Sequence, residues 1–273
     1  MDQQTISLMT IFSLLSLALS RHLQPLRVHR DTMAEPVSQE DLKIDDNPLL
    51  RHHLRLATTP APVVSVLPFD HNVLSCQAVG NPPPTIHWLK DGDRIIQGTL
   101  DSIQSDAMDD GNFNIPPLVG TSQTWSRLFL DCLTPRDGGT YTCVAETPYS
   151  RVSSDTRLDI SERGLIQLEP VCLKQGVFGF PARIYMWTRF RFEQQGSDVQ
   201  LFCRSSGLPE PEVTWSRGDD SKPLENDKKH IVLDNGDLLI RSIRWEDIGI
   251  YTCTVQNALG SDTTLTFLYP VKP

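Results

Sequence analysis

The chain has 273 residues, a formal net charge of −9, 39% hydrophobic residues and six cysteines. That length has room for two domains of about 100 residues, each with a small core. The acidic balance argues against nucleic acid as a partner. The even cysteine count, with no Cys-x-x-Cys or His-x-x-x-His pair, points to disulfides in an oxidising compartment rather than to a metal site.

Ile6 to Leu19 is an apolar run broken only by Ser and Thr, and it ends in the small-residue stretch Ala18-Leu19-Ser20. Residues 1–20 therefore read as a secretory signal peptide, with the mature chain starting at Arg21. Its amino-terminal region carries no Lys or Arg, which keeps an uncleaved anchor open as the rival reading. The run nevertheless falls short of the roughly 20 residues that span a bilayer. The carboxyl end, Phe267 to Pro273, carries neither a spanning helix nor a hydrophobic tail, so no membrane anchor is expected. No Asn-x-Ser/Thr sequon is present, so no N-glycan is expected either.

Residues 21–62 mix basic, acidic, His and Pro residues without a sustained period and read as a mobile leader. His22, His29, His52 and His53 are expected to be solvated rather than to hold a metal. A first domain is expected over 63–160. It contains Cys76, Gly80-Asn-Pro-Pro-Pro84 and Trp88, then Leu128, Leu130, Leu133, Asp137, Gly139, Tyr141 and Cys143. Between the two groups, Gly98 to Thr124 is rich in Asp, Gly, Asn and Pro and reads as a surface loop. Trp125 follows it, either as an exposed anchor for a partner or as a residue closing the edge of the core.

Residues 161–182 read as a connector, although Leu165, Ile166, Leu168, Val171, Leu173, Val177, Phe178 and Phe180 make it far more apolar than a flexible linker. Such a segment either packs on both domains and sets their angle, or leaves part of itself open as a binding patch. The second domain, 183–273, opens with Arg183, Arg189 and Arg191 interleaved with Tyr185, Trp187, Phe190 and Phe192. Alternation predicts the aromatics inward and the arginines in an outward row. That row is either an ordinary solvated face or a site for sulfated glycans. Further on, Val199, Leu201 and Cys203 alternate as a half-buried strand should, and so do Thr263, Leu265, Phe267 and Tyr269 at the far end.

This second domain repeats the first. Cys203, Gly207-Leu-Pro-Glu-Pro211 and Trp215 match Cys76, Gly80–Pro84 and Trp88 at an offset of 127, and Leu238, Ile240, Ile243, Asp247, Gly249, Tyr251 and Cys253 match the later group at 110. The difference, 127 − 110 = 17, is an insertion in the first copy. Cysteines 50 apart in the second copy, a Trp twelve after the first cysteine and a Tyr two before the second are the spacings of an immunoglobulin sandwich. The expected fold is all-β, two tandem immunoglobulin sandwiches of I-set type. Trp88 and Trp215 fill the space beside the bridges, and Tyr141 and Tyr251 form the strand corners. The expected disulfides are Cys76 with Cys143 and Cys203 with Cys253. The remaining pair, Cys132 in the run into the first tyrosine corner and Cys172 in the connector, would then tie corner to connector and close a 40-residue loop.

No Gly-x-Ser-x-Gly, His-Glu-x-x-His or phosphate-cradling glycine loop occurs, so neither enzymatic activity nor a cofactor is expected. Arg217-Gly218-Asp219 spells a tripeptide that integrins read in exposed loops. The first copy has Lys90-Asp91-Gly92 there, however, so the fold wants a charged, glycine-containing turn regardless of a receptor. Trp245 reads as half exposed and a possible interface anchor. Phe178, Phe180, Tyr185 and Trp187 are expected to form one aromatic neighbourhood at the domain junction, the candidate partner site.

The stretch Asn235-Gly-Asp-Leu-Leu-Ile240, Trp245-Glu-Asp247, Gln256-Asn-Ala-Leu-Gly260 and Phe267-Leu-Tyr-Pro270 resembles the zwei-Ig secreted proteins of nematodes and the related insect two-domain neural/ectodermal development factor. The resemblance implies a secreted non-enzyme. Its nematode members maintain axon and neuron position, and its insect member sequesters insulin-like peptides. An insulin-like peptide or a neuronal surface receptor is thus the implied partner. The reading of another class is a structural or adhesive matrix component that acts by self-association or integrin binding.

Overall fold

Leu74, Cys76 and Ala78 are buried and alternate with Val73, Ser75 and Gln77, the period-2 pattern of a strand with one face on a core. In the computed structural model, which describes residues 51–98, 120–161, 179–218 and 222–272, nearly all regular structure is of this kind. The first half contains β1 (His53–Thr58), β2 (Val63–Val66), β3 (Asn72–Asn81), β4 (Thr85–Lys90), β5 (Asp93–Ile95), β6 (Ser122–Leu130), β7 (Gly139–Thr147) and β8 (Ser150–Ile160). The second contains β9 (Phe180–Gln194), β10 (Val199–Leu201), β11 (Cys203–Leu208), β12 (Glu212–Arg217), β13 (His230–Val232), β14 (Leu238–Ile240), β15 (Gly249–Asn257) and β16 (Gly260–Val271). All of these strands lie in one unit, Asp45–Pro273.

Each half is a two-sheet sandwich with a disulfide across its core. Cys76 is bonded to Cys143 and Cys203 to Cys253, each pair with Cα atoms 6.5 Å apart. On the chain-entropy model, closing loops of this length is worth about 4 kcal/mol each. Trp88 and Trp215 are buried beside the bridges, and their indole N–H groups donate to Ser126 Oγ (3.0 Å) and to the Gly236 carbonyl (2.9 Å). The motif Asp-x-Gly-x-Tyr-x-Cys builds the same corner twice. Asp137 and Asp247 accept the backbone N–H of Thr134 and Arg244 on their carboxylates (2.8 and 2.7 Å), which closes a single 3-10 turn. Their carbonyls then accept the hydroxyls of Tyr141 (2.8 Å) and Tyr251 (3.0 Å). Gly139 sits at φ +151°, where an added Cβ would meet the Asp91 carboxylate at 2.6 Å.

The first domain begins earlier than expected and its insertion ends earlier. β1 lies inside the stretch read as a leader: its Leu54 and Leu56 pack against the first core while its backbone pairs with β3. Two leucines in register with a strand suffice for this, but they are too few to register as a period. Ser122 to Thr124, read as loop, form the start of β6.

β9 is what makes one object of the two sandwiches. Its first half pairs antiparallel with β11, its middle (Met186 to Arg191) antiparallel with β6 of the first domain, and its end (Phe190 to Gln194) parallel with β16. The result is a single sheet of eight strands, ordered β1-β3-β6-β9-β16-β15-β12 with β11 also on β9, that runs through both domains. The two cores interlock around it. Tyr185, Met186 and Phe202, all from the second domain's sequence, belong to the first domain's apolar cluster; Trp125 of the first domain packs against the second. Burying each such side chain contributes about 1.5–3 kcal/mol.

Candidate functional site

The pairing of β9 with β6 skips Arg189: Gln123 faces Phe190, and Thr124 faces Thr188. Together with an earlier register shift at Tyr185 against β11, that bulge breaks the strict alternation. Before it, Tyr185 points into the first core and Trp187 into the second; after it, Arg191 and Glu193 point inward while Phe190 and Phe192 are only partly covered. The expected outward row of arginines therefore does not form. Arg191 is 0% exposed, as is its partner Glu193, with Nη2 to Oε2 at 2.5 Å. Burial pulls the Arg191 guanidinium below its usual pKa, and Glu193 pulls it back up. Arg183 donates to Asp131 and lies over the Phe129 ring, and of the three only Arg189 is exposed, its guanidinium donating to the Leu265 carbonyl (3.4 Å). A sulfated-glycan row has no basis in this geometry.

The expected aromatic neighbourhood at the junction is likewise divided. Tyr185 and Trp187 are buried in opposite cores, Phe180 is partly exposed at the start of β9, and Phe178 lies outside the described residues, as does Cys172. Cys132 is disulfide-bonded. In the Arg217-Gly218-Asp219 tripeptide, the Arg217 guanidinium donates to the carbonyls of Glu246 and Ile248 and lies over the Tyr251 ring. It braces the second corner rather than reaching outward. Asp219 lies outside the described residues.

An aromatic surface does exist, one face of the sheet away. β16 was expected to bury Leu265, Phe267 and Tyr269, but its register with β15 sets Thr264 opposite Cys253 and Thr266 opposite Tyr251. The inward residues of β16 are therefore Thr264, Thr266 and Leu268, and the larger apolar ones face out. Leu265 is 43% exposed, Phe267 36%, Ile250 46% and Trp245 46%. Rings connect them across β9 and β16. Phe190 lies 5.8 Å from Phe267 and 4.0 Å from Phe192, Phe192 lies 5.4 Å from Tyr269, and Tyr269 lies 5.7 Å from Trp245. Contiguous exposed apolar patches of this kind mark interaction surfaces, and aromatic anchors on a stiff sheet lose little side-chain entropy on binding. The signal was present in the sequence. Leu265, Phe267 and Tyr269 alternate with Thr, and a strand that faces solvent with its apolar residues reads the same as one that buries them.

Comparison with known proteins accords with this architecture. An immunoglobulin domain model matches residues 56–147 and an immunoglobulin I-set model residues 191–269. These matches make the chain a two-domain immunoglobulin protein, and the family is one of extracellular binding and adhesion proteins rather than enzymes. Zwei Ig domain protein zig-2 of Caenorhabditis elegans is 30% identical over 83% of this chain and 87% of its own length. Neural/ectodermal development factor IMP-L2 of Drosophila melanogaster is 30% identical over 72% of this chain and 68% of its own. The crystal structure of IMP-L2 superposes with a TM-score of 0.61 and 26% identity, covering 80% of this chain and 95% of that one. The chain belongs to the zwei-Ig domain proteins. Among the described residues, no helix is long and apolar enough to cross a membrane.

Proposed function

We propose that the protein is secreted and captures an extracellular protein or peptide on the aromatic face formed by Phe190, Phe192, Phe267, Tyr269 and Trp245. Within its family, an insulin-like peptide or a neuronal surface receptor is the ligand class that fits best, and a role in nervous-system development or in maintaining neuron position follows from it. The observation that carries the reading is the outward phase of β16, which leaves a connected aromatic patch open on a sheet stiffened by two domains. Its connected rings suit burial against the apolar face of an amphipathic helix of a peptide hormone, with the exposed Arg189 beside them at the rim.

The test is surface plasmon resonance of the purified chain against a panel of insulin-like peptides, with Phe267→Ser and Trp245→Ser beside the wild type. Both side chains are largely outside the cores, so secretion and melting temperature should hold. Binding should weaken by about 2 kcal/mol or more for Phe267→Ser. Unchanged binding by both variants would remove the aromatic face from the function. Self-association through the same face is the rival outcome. Sedimentation equilibrium would show it as assembly of the wild type that both variants abolish.

A further inference from the structure

A second recess, sharing no residue with the aromatic ladder, lies where the two domains meet. It is a cavity of about 370 Å³ bounded by the exit of β5, by β6, by the starts of β9 and β12 and by the later part of β11. Its apolar lining comes from Ile96, Leu128 and Phe129 of the first domain and Phe180 and Val213 of the second. Ile96 and Phe180 are exposed, so part of this lining stays in contact with water.

The charged groups of the recess fall into two sets. Asp131 is satisfied, accepting from Arg183 on one oxygen and facing His71 Nδ1 at 3.0 Å on the other, and Arg183 is spread over the Phe129 ring. Glu210 and Asp234, from two separate loops of the second domain, also line the recess, and both are exposed. Neither has a hydrogen-bond or ion-pair partner among the described residues. With Arg183 cancelled by Asp131, the recess is left with two negative charges beside an apolar wall.

We infer that this interdomain recess binds an arginine side chain carried on an apolar segment of a partner polypeptide. The chemistry matches at each end. A long aliphatic stem covers apolar wall while its charged head stays at the rim. A planar guanidinium is able to pair with carboxylates through its forked donors and to stack on an exposed ring such as Phe180. The volume is at the lower end of ligand pockets, enough for one long side chain and a neighbouring apolar residue. The walls come from both domains, which the shared strand β9 holds together, so the recess exists before a ligand arrives. This site is independent of the aromatic face and stands if that face has another use.

The test uses acetyl-Leu-Arg-amide as the probe and acetyl-Leu-citrulline-amide as its neutral isostere, titrated into the isotope-labelled full chain and followed by amide NMR. The arginine probe should shift the amides of Ser206 and Asn235, and the citrulline probe should bind at least about tenfold more weakly. Glu210→Gln with Asp234→Asn should weaken the arginine probe by about tenfold or more with an unchanged melting temperature, since both carboxylates are exposed. Raising the salt should weaken it in the same direction. Equal binding of the two probes, wild-type binding by the double variant, or shifts confined to Phe267 and Tyr269 would each overturn the inference.

Discussion

Asp237 shows how one side chain stabilises a whole strand junction. It lies in Asn235-Gly236-Asp237, part of the stretch that resembles the family, and its carboxylate accepts the Cys203 backbone N–H (2.9 Å), Gln200 (2.9 Å) and the Arg204 guanidinium (3.2 Å) where β10 gives way to β11. Asn235 and the positive-φ Gly236 form the turn that delivers it, and the Gly236 carbonyl takes the Trp215 indole. Asp237 and Arg204 are both buried. Asp237→Ala would strip the buried Arg204 of this carboxylate and strand the Cys203 backbone N–H, and should cost about 3–5 kcal/mol, read as a drop in the denaturant midpoint. Lys222→Ala, which breaks a fully exposed pair with Glu225, should change stability by no more than about 0.5 kcal/mol. The corner tyrosines supply a pH signature. Burial pushes both Tyr141 and Tyr251 up to about 12; Asp137 and Asp91 add to the rise at Tyr141, whereas at Tyr251 the Arg217 guanidinium pulls against it and Asp247 adds to it. Raised folded pKa values favour the neutral phenols, so the stability they contribute is complete below pH 10 and is lost as pH rises toward 12. Unfolding midpoints should fall across that window, and Tyr251→Phe should flatten the fall while lowering stability at pH 7 through the lost hydrogen bond to the Asp247 carbonyl.

At the level of elements, what the sequence discloses depends on how many residues must agree. The two sandwich frames were legible because cysteine, tryptophan, glycine and tyrosine recur at fixed offsets, each tied to its own contact. β9 and β16 were legible as strands but not in phase. Register shifts at Tyr185 against β11 and at Arg189 against β6 break the alternation of β9, and nothing in its own composition marks them, because they are set by pairing with two other strands. β16 failed for a related reason: Thr264 and Thr266 face inward opposite Cys253 and Tyr251, and small hydroxyl residues at core positions look like solvent-facing ones. Of the expected site, Tyr185 and Trp187 do point inward but into different cores, Phe180 is exposed and Phe178 lies outside the described residues, so what the alternation could not disclose is that the inward residues divide between two cores. Cys132 is the remaining element-scale question. It occupies a left-handed turn, φ 53°, as its counterpart Ser242 does at 47°, which is where β6 ends and the corner begins. Its sulfur is bonded, and Cys172 is the partner we expect. Non-reducing peptide mapping of the secreted protein should recover the peptides of Cys132 and Cys172 as one linked species. A link from Cys132 to a second chain would instead show a covalent dimer.

Two sandwiches joined only by a linker unfold as separate units, but here each core contains side chains that the other domain's strands deliver. Phe202 illustrates the consequence. It belongs to the second domain's sequence, one residue before Cys203, yet it packs with Leu74, Trp88 and Leu128 in the first domain's cluster, and its backbone N–H donates to Thr188 Oγ1 on the shared strand (2.9 Å). Removing it should therefore weaken the domain that it is not part of. Phe202→Ala should cost about 3–5 kcal/mol and should raise hydrogen exchange in β4 and β7 of the first domain as much as in β15 of the second. The wild type should melt in one cooperative transition, because separating the domains would expose both interlocked clusters and break the ladder between β6 and β9. Two resolved transitions, or exchange changes confined to the second domain, would mean that the domains are independent. The aromatic face and the junction recess would then lose the rigidity on which their binding roles rest.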